Sequence, residues 1–181
     1  MKLGIYIGSF NPPHKGHIYV VNYLLDNGVV DKVLIVPTEN YWDKNDLVDI
    51  KHRINMLKFY ENENIMVDTK NNGYAYTYEL MRKLSEDYKK DILYLVIGAD
   101  NIINFDKWKN YQELLNYNII VMNRDGIDIN SYISKYPNSN FIVLKDYQEI
   151  NISSSDFRNN INNDCLDEKV YQYIKKNNLY R

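Results

Sequence analysis

The stretch Gly8-Ser9-Phe10-Asn11-Pro12-Pro13-His14-Lys15-Gly16-His17 stands between an apolar run and a segment with helical periodicity. The apolar run, Lys2–Ile7, predicts a first β-strand. The segment that follows predicts a helix over Lys15–Asn27, because apolar residues recur there at helical spacing: Ile18, Val21, Leu24 and Leu25. A strand, a tight loop stiffened by two prolines and a helix, in this order, open a doubly wound α/β fold.

The rest of the chain continues the alternation of apolar runs and helical patterns. Further strands are predicted at Lys32–Val36, Asn64–Asp68, Asp91–Ile97, Asn118–Met122 and Asn140–Leu144. Further helices are predicted at Asp49–Tyr60, Thr77–Tyr88 (with Thr77 as its N-cap), Tyr111–Asn116, Ser154–Ile161 and Asp167–Lys176. Continuously apolar strands favour a parallel sheet covered by helices on both faces. We therefore expect one α/β domain, residues 1–181, with a doubly wound parallel sheet of five to six strands.

The composition excludes several classes of protein. The 181 residues are 45% hydrophobic, enough for a sizeable core, and the net charge of -2 gives no general footprint for nucleic acid. A single cysteine, Cys165, excludes a disulfide framework and a multi-cysteine metal site. Apolar stretches such as Leu93–Ala99 fall short of the roughly 18 residues of a membrane span. Since the apolar run before Gly8 is also too short for a signal peptide, we expect a cytoplasmic protein without nucleic-acid or membrane partners.

The loop after the first predicted strand carries two histidines, His14 and His17, at the start of a helix. A spacing of three puts both imidazoles on one side of the first turn, beside backbone N–H groups that have no intrahelical acceptor. Gly16 leaves room between them for a ligand, and the arrangement suits a phosphate chain. Two other interpretations remain open: an exposed surface pair, or two ligands of a zinc site with His52 as the third. The loop has neither G-x-G-x-x-G nor a G-K-[ST] ending, which argues against a dehydrogenase or a P-loop NTPase.

Two segments resemble the signatures of the nucleotidylyltransferase superfamily, whose fold is Rossmann-like. The first loop is similar to G-x-F-x-P-x-H-x-G-H, and Ile152-Ser153-Ser154-Ser155 with Arg158 is similar to I-S-S-T-x-x-R. Taken alone, the serines are also what N-capping of a helix requires, whereas Arg158 lies one turn along and can fork onto phosphate oxygens. The resemblance implies His14, His17 and Arg158 as catalytic residues and an ATP site formed by Gly8, Ser9, Phe10, His14, Gly16, His17, Ile152, Ser154, Ser155 and Arg158.

The remainder of the chain most resembles the bacterial nicotinate-nucleotide adenylyltransferase family. The resemblance rests on Ile97-Gly98-Ala99-Asp100 followed by Phe105 and Trp108, on Gly73–Thr77, and on His52-Arg53 with Met56-Leu57. It implies that Asp100 holds a ribose hydroxyl, that Trp108 stacks on the pyridine ring and that the backbone N–H groups of Thr77 and Lys109 receive the nicotinate carboxylate. The implied acceptor site comprises Lys44, Tyr76, Thr77, Asp100, Trp108 and Lys109.

Two segments depart from the pattern of that family. Tyr41-Trp42-Asp43-Lys44 stands where the family shows P-P-H-K and keeps only the lysine, which is either a phosphate ligand or a solvated side chain. Asn123-Arg124-Asp125-Gly126 stands where the family shows K-R-P-G. Both departures bear on the substrate more than on the reaction.

The resemblance implies a reaction between ATP and nicotinate mononucleotide that yields deamido-NAD and pyrophosphate. The attacking phosphate oxygen is already an anion at neutral pH, so no general base is required. Mg²⁺ is the expected cofactor, held through the ATP phosphates rather than by protein ligands. Alternatives are another acceptor, such as nicotinamide mononucleotide or phosphopantetheine, a cytidylyltransferase, or a nucleotide-binding regulatory module without turnover. A homo-oligomer is also compatible with the sequence.

Overall fold

A computed structural model describes residues 1–39, 47–159 and 163–180. In these residues, one sheet contains six strands, β1 to β6, with bounds Lys2–Gly8, Lys32–Pro37, Ile65–Val67, Ile92–Gly98, Asn118–Met122 and Asn140–Leu144. The strands lie in the order β3-β2-β1-β4-β5-β6, and every neighbouring pair is parallel. The predicted α/β fold with a parallel sheet of five to six strands is confirmed.

Eight α-helices, α1 to α8, connect and cover these strands in the described part of the chain. Their bounds are Lys15–Asp26, Ile50–Leu57, Thr77–Asp87, Ala99–Ile102, Tyr111–Leu114, Ile129–Ile133, Ser154–Arg158 and Glu168–Lys176. Short 3-10 helices lie at Lys58–Tyr60, Phe105–Lys107 and Asn163–Cys165. None of the helices in the described ranges is long and apolar enough to cross a membrane.

Two hydrophobic clusters cover the two faces of the sheet, as the continuous apolar strands predict. On one face, Ile5 of β1 packs with Leu80 and Leu84 of α3. On the other face, Val33 of β2 packs with Leu24 of α1. Alternate residues of each strand enter opposite clusters because successive side chains of a strand point to opposite faces. Helices therefore bury both faces of the sheet.

Sequence patterns misplaced some features of the helices. The N-cap of α3 is Tyr76, which has extended dihedral angles (φ −128°, ψ 142°), so Thr77 is the first helical residue and not the cap. The second predicted helix ends at Leu57 and continues only as a 3-10 turn. Arg53, on the same helix, is only 1% exposed, although a charged residue is rarely buried without partners.

The strand order reverses between β1 and β4. From β1 the chain runs outward through β2 to β3, returns to β4 on the other side of β1, and continues to β5 and β6. Helices that leave two adjacent strands in opposite directions open a crevice at the carboxyl ends of those strands. This geometry places the candidate site after Gly8 and Gly98, the last residues of β1 and β4. That residues 1–181 form a single domain stays a prediction.

Candidate active site

A cleft of about 570 Å³ opens at the carboxyl ends of β1, β4 and β5. Its walls combine residues from the first loop, the segment before α7, the start of α3 and the segment after β4. The residues predicted from the sequence that line it are Gly8, Ser9, Phe10, His14, Gly16, His17, Ile152, Ser154, Thr77, Asp100 and Trp108. Residues from both ends of the chain and from its middle therefore meet in one cavity.

We call residues 8–17 and 152–158, some of which line one wall of the cleft, the phosphate side. At its centre, the imidazoles of His14 and His17 are stacked, with ring centroids 3.6 Å apart and planes inclined by 17°. His14 is the N-cap of α1, and its Nδ1 accepts a hydrogen bond from the backbone N–H of His17 at 3.3 Å. In return, Nδ1 of His17 accepts from the backbone N–H of His14 at 3.1 Å. The two histidines form a reciprocal capping box that fixes both rings.

This capping box determines the tautomer of both histidines. A nitrogen that accepts an N–H bond carries no proton, so the neutral imidazoles of His14 and His17 hold their proton on Nε2. The pKa of His14 is lowered to about 4, first by burial and then by the positive charge of Arg124, against a smaller opposing effect of Asp156. Burial, His14 and Arg124 hold the pKa of His17 well below its usual value. At neutral pH the pair therefore presents two uncharged Nε2–H donors.

Gly16 has a packing role that the sequence did not indicate. A Cβ atom at this position would lie 2.9 Å from Cε1 of His14, closer than side chains tolerate. The glycine thus makes room for the imidazole that caps its own helix, besides lining the cleft. Phe10 packs against the pair: its ring contacts that of His17 edge-on, with ring centroids 4.9 Å apart, and Phe10 is only 2% exposed.

The second signature packs directly on the first loop. Ser153 is the N-cap of α7, in a capping box with Asp156, so N-capping accounts for the first serine of the signature. Oγ of Ser154 donates to the carbonyl of Pro12 at 2.8 Å. Nη1 of Arg158 donates to the carbonyl of Asn11 at 2.7 Å. The carboxyl-terminal signature therefore holds the histidine loop in place through these two carbonyls.

Arg158 and Ser155 do not themselves line the cleft. Nη2 of Arg158 donates to Oγ of Ser155 at 3.2 Å, so the two predicted residues contact each other. That the two residues contact ATP phosphates stays a prediction.

We call the opposite wall, with Thr77, Asp100 and Trp108, the acceptor side. The Trp108 ring packs against Phe105 at 5.3 Å, and the Asp100 carboxylate is exposed. Tyr76 and Lys109, also predicted for this site, do not line the cleft; they meet in a cation–π contact, with Nζ of Lys109 4.4 Å from the Tyr76 ring centroid. Lys44 and the departure at 41–44 lie outside the described residues.

The structure adds cleft residues that the sequence reasoning did not assign. Tyr6, on β1, lines the cleft with its ring centroid 6.4 Å from that of His17, and Tyr147 also lines the cleft. Arg124 enters from the loop after β5, where its Nε lies 3.8 Å from Oε2 of Glu149. The signal for Arg124 was its place at the end of a predicted strand, inside the departure from K-R-P-G. Tyr6 and Tyr147 gave no comparable signal.

Arg53 is a further residue to which the sequence analysis gave no role. Its Nη1 donates to the carbonyls of Ser9 and Thr38, both at 2.7 Å, and its Nε donates to the carbonyl of Val48 at 2.8 Å. One buried guanidinium thus joins the first loop to the segment after β2. Multiple carbonyl bonds are what a buried guanidinium needs to offset its lost hydration.

His52 does not join the histidine pair. Its Nδ1 lies 2.7 Å from the hydroxyl of Tyr173, on the side of α2 that faces α8. Within residues 1–39, 47–159 and 163–180, no three His, Cys, Asp or Glu side chains converge on a point where a metal ion could sit. The zinc interpretation with His52 as a third ligand is therefore wrong.

Comparison with known proteins shows which family the chain resembles. The family model described as "Cytidylyltransferase-like" matches residues 5–160. A "Probable nicotinate-nucleotide adenylyltransferase" of Fusobacterium nucleatum is 34% identical, over 97% of this chain and 98% of that protein. One of the same name from Borreliella afzelii is 37% identical, over 99% of this chain and 97% of that protein.

A solved structure shares the fold. The nicotinic acid mononucleotide adenylyltransferase of Plasmodium falciparum, complexed with NaAD, superposes with a TM-score of 0.81. It is 24% identical, and the match covers 99% of this chain and 97% of that chain.

Proposed function

The chain belongs to the cytidylyltransferase-like family and, within it, to the nicotinate-nucleotide adenylyltransferases, and from this premise we propose how its cleft carries out adenylyl transfer. The protein is a nucleotidyltransferase of NAD biosynthesis that joins nicotinate mononucleotide to the AMP moiety of ATP. A phosphate oxygen of the mononucleotide forms a bond to the α-phosphorus of ATP. The bond from that phosphorus to the oxygen that bridges the α- and β-phosphates breaks, this oxygen leaves with pyrophosphate, and deamido-NAD and pyrophosphate result.

The observation that carries the mechanism is the reciprocal capping of His14 and His17. Because each Nδ1 accepts a backbone N–H, each Nε2–H is free to donate to a phosphate oxygen of ATP. Both donors are fixed before the substrate arrives, so no reorganisation is needed as charge develops on the leaving pyrophosphate. A single donor placed in this way contributes about 3–4 kcal/mol to lowering the barrier.

Neutral histidines suit this reaction better than a base would. The attacking phosphate oxygen is an anion and has no proton to lose, so the site needs donors and positive charge instead. Arg124 supplies positive charge from the wall of the cleft, and Arg158 supplies it next to the first loop, where it donates to the carbonyl of Asn11. Holding the two phosphates in line contributes a further share, equivalent to about 7–11 kcal/mol in well-oriented reactions.

The acceptor side offers the contacts that a pyridine nucleotide requires. Thr77 begins an eleven-residue helix, whose first N–H groups have no intrahelical acceptor and favour an anion such as the nicotinate carboxylate. Trp108 presents an aromatic ring for stacking on the pyridine, and the Asp100 carboxylate accepts from a ribose hydroxyl. Lys109 and Tyr76 flank these residues and shape the rim.

Mg²⁺ is the proposed cofactor. Mg²⁺ is typically bound through substrate phosphates with few protein ligands, and the described residues contain no cluster of carboxylates that would cage it instead. The metal would arrive bound to ATP. When bound, it neutralises charge on the phosphate oxygens. His14, His17 and Arg158 orient the same phosphates from the protein side.

Some expectations from the sequence stay predictions. These are the cytoplasmic location, the absence of nucleic-acid and membrane partners, and a homo-oligomeric state. The family assignment accounts for nucleotides as substrates and is independent of all three.

An acceptor panel tests the proposed function. The purified chain is incubated with ATP and Mg²⁺ and, in separate reactions, with nicotinate mononucleotide, nicotinamide mononucleotide or phosphopantetheine. Pyrophosphate release and product mass are then measured. We expect deamido-NAD from nicotinate mononucleotide at a rate well above the other reactions. Preference for another acceptor would reassign the acceptor side, and ATP binding without pyrophosphate release would indicate a regulatory module.

A further inference from the structure

The carboxyl-terminal residues return from α8 to the first loop. The helix ends in a Schellman motif: the N–H of Leu179 donates to the carbonyl of Ile174 at 3.1 Å, and that of Asn178 to the carbonyl of Lys175 at 3.3 Å. Asn178 takes the left-handed conformation that this motif requires, with φ of 54°. After this reversal, Tyr180 follows Leu179 and reaches the phosphate side.

The hydroxyl of Tyr180 donates to Oδ1 of Asn11 at 2.7 Å. Its ring meets Phe157 of α7 edge-on, with centroids 5.8 Å apart. Burial raises the pKa of Tyr180, while the nearby guanidiniums of Arg53 and Arg158 act in the opposite direction. The phenol is therefore protonated at neutral pH and lies near the two arginines that hold the first loop.

Asn11 is the point at which these anchors meet. It is 4% exposed; its Oδ1 also accepts from the backbone N–H of Val48 at 3.2 Å, and its carbonyl accepts from Arg158. Only Pro12 and Pro13 separate Asn11 from His14, and proline fixes its own φ. A displacement of Asn11 is therefore passed along a stiff segment to the imidazole pair.

We propose that Tyr180 is a positioning residue for the triphosphate: through Asn11 it holds the loop that carries His14 and His17 at the distance that ATP requires. This inference rests on the proposed function. Tyr180 touches neither substrate nor the reacting atoms, and it acts by fixing the loop before ATP binds. Losing its hydroxyl leaves Asn11 anchored by Val48 and Arg158, so the loop loosens without unfolding.

The test compares two tyrosines of the carboxyl-terminal region. Tyr180→Phe removes the hydroxyl that reaches the first loop and keeps the ring on Phe157. The matched control, Tyr173→Phe, removes a hydroxyl that is bonded to His52 and Asn55 on α2. We expect Tyr180→Phe to raise the KM for ATP about fivefold, as loss of one ordinary hydrogen bond does, with the KM for the acceptor unchanged. Each substitution removes one hydrogen bond, so both should lower the unfolding midpoint by a similar amount. Tyr173→Phe, however, should leave both KM values within about twofold of wild type.

The outcomes separate this inference from the proposed function. An active wild type whose ATP KM is unchanged in Tyr180→Phe overturns the positioning role. Equal effects of both variants on the ATP KM also overturn it, because they indicate general loosening. If the wild type releases no pyrophosphate, the proposed function fails, and binding of a non-hydrolysable ATP analogue replaces KM as the measurement. In that case, weaker binding of the analogue by Tyr180→Phe, but not by Tyr173→Phe, still supports the positioning role. A wild type that does not bind the analogue contradicts both the proposed function and the positioning role.

Discussion

The phosphate side and the acceptor side of the cleft are built in different ways. On the phosphate side, Phe10, Asn11 and His14 are at most 5% exposed, and side chains distant in sequence bond to the loop carbonyls. On the acceptor side, Asp100 is exposed, and Thr77 and Trp108 are only half-buried. The first side is therefore set before substrate binds, whereas the second leaves its side chains partly open to solvent. Changes on the phosphate side should alter catalysis and stability together, and those on the acceptor side only acceptor binding.

The largest expected effect comes from the centre of the phosphate side. His17→Ala removes one Nε2–H donor and should lower kcat about 10²–10³-fold, measured by pyrophosphate release at saturating substrates. It also removes half of the capping box. His17→Asn is the control, since its amide oxygen can replace Nδ1 as an acceptor, whereas its shorter amide N–H₂ group does not reach the position of Nε2–H. We expect the Asn variant to be as slow as the Ala variant yet more stable, and normal turnover by either would remove His17 from the mechanism.

Arg158→Ala should raise the KM for ATP by about 10- to 100-fold, because hydrogen bonds from a charged group are worth about 1.5–3 kcal/mol. Its effect on kcat should be smaller. Steady-state kinetics with varied ATP at saturating nicotinate mononucleotide measure both. Arg158→Lys keeps the positive charge and loses the forked pair of N–H donors, so its KM for ATP should lie between those of the wild type and the Ala variant. An unchanged ATP KM in the Ala variant would mean that Arg158 neither binds ATP nor supports the loop that does.

On the acceptor side, Trp108→Ala should raise the KM for nicotinate mononucleotide about tenfold and leave the KM for ATP unchanged, since stacking contributes about 0.5–1.5 kcal/mol beyond burial. Trp108→Phe keeps an aromatic face and should recover most of the affinity. If Trp108→Ala raised the KM for ATP as much as the KM for nicotinate mononucleotide, this would contradict the separation of the two sides.

The smallest effect concerns stability against pH. The pKa of His14 is about 4 in the folded protein against an ordinary value of 6.5, so between these values the unfolded chain binds the proton and the folded chain does not. The free energy of unfolding should therefore fall by about 1 kcal/mol for this residue from pH 7 to pH 5.5. Urea denaturation at several pH values measures it.

His14→Asn is the control for the pH experiment. Asparagine is a good N-cap but does not titrate, so the variant should lose part of the pH dependence while keeping the helix start. If the free energy of unfolding changes with pH equally in the wild type and in His14→Asn, His14 is not the group that titrates.

The comparison of the two sides also shows how far sequence reasoning reached. The first loop was identified because strand, loop and helix follow one another along the chain, and all signature residues of the loop except Pro12 line the cleft. Arg158 was assigned to the same site from its signature, but the structure gives it the carbonyl of Asn11 as a partner. Its direction depends on how α7 packs on the loop, which no spacing along the chain encodes.

Buried polar contacts were the least accessible to sequence reasoning. Arg53 was noticed only as part of a resemblance, although its guanidinium joins the carbonyls of Ser9 and Thr38. A helical pattern marks apolar positions as buried and treats a charged residue as exposed, because burying a charge is unfavourable until its partners are known. Those partners come from two loops that become neighbours only in the folded chain.

By itself, the sequence determined the parallel sheet, the helices on both faces and the position of the histidine loop after β1. These features follow from local periodicity and turn chemistry, which act between residues a few positions apart. Only the tertiary structure decided the tautomer of the two histidines, the entry of Arg124 into the cleft and the meeting of Asn11 with Tyr180. Asn11 and Tyr180 are 169 residues apart, and their contact depends on how α8 ends. The position of Arg124 in the cleft depends on the strand order. The tautomers of the histidines depend on the capping geometry that His14 and His17 adopt at the start of α1.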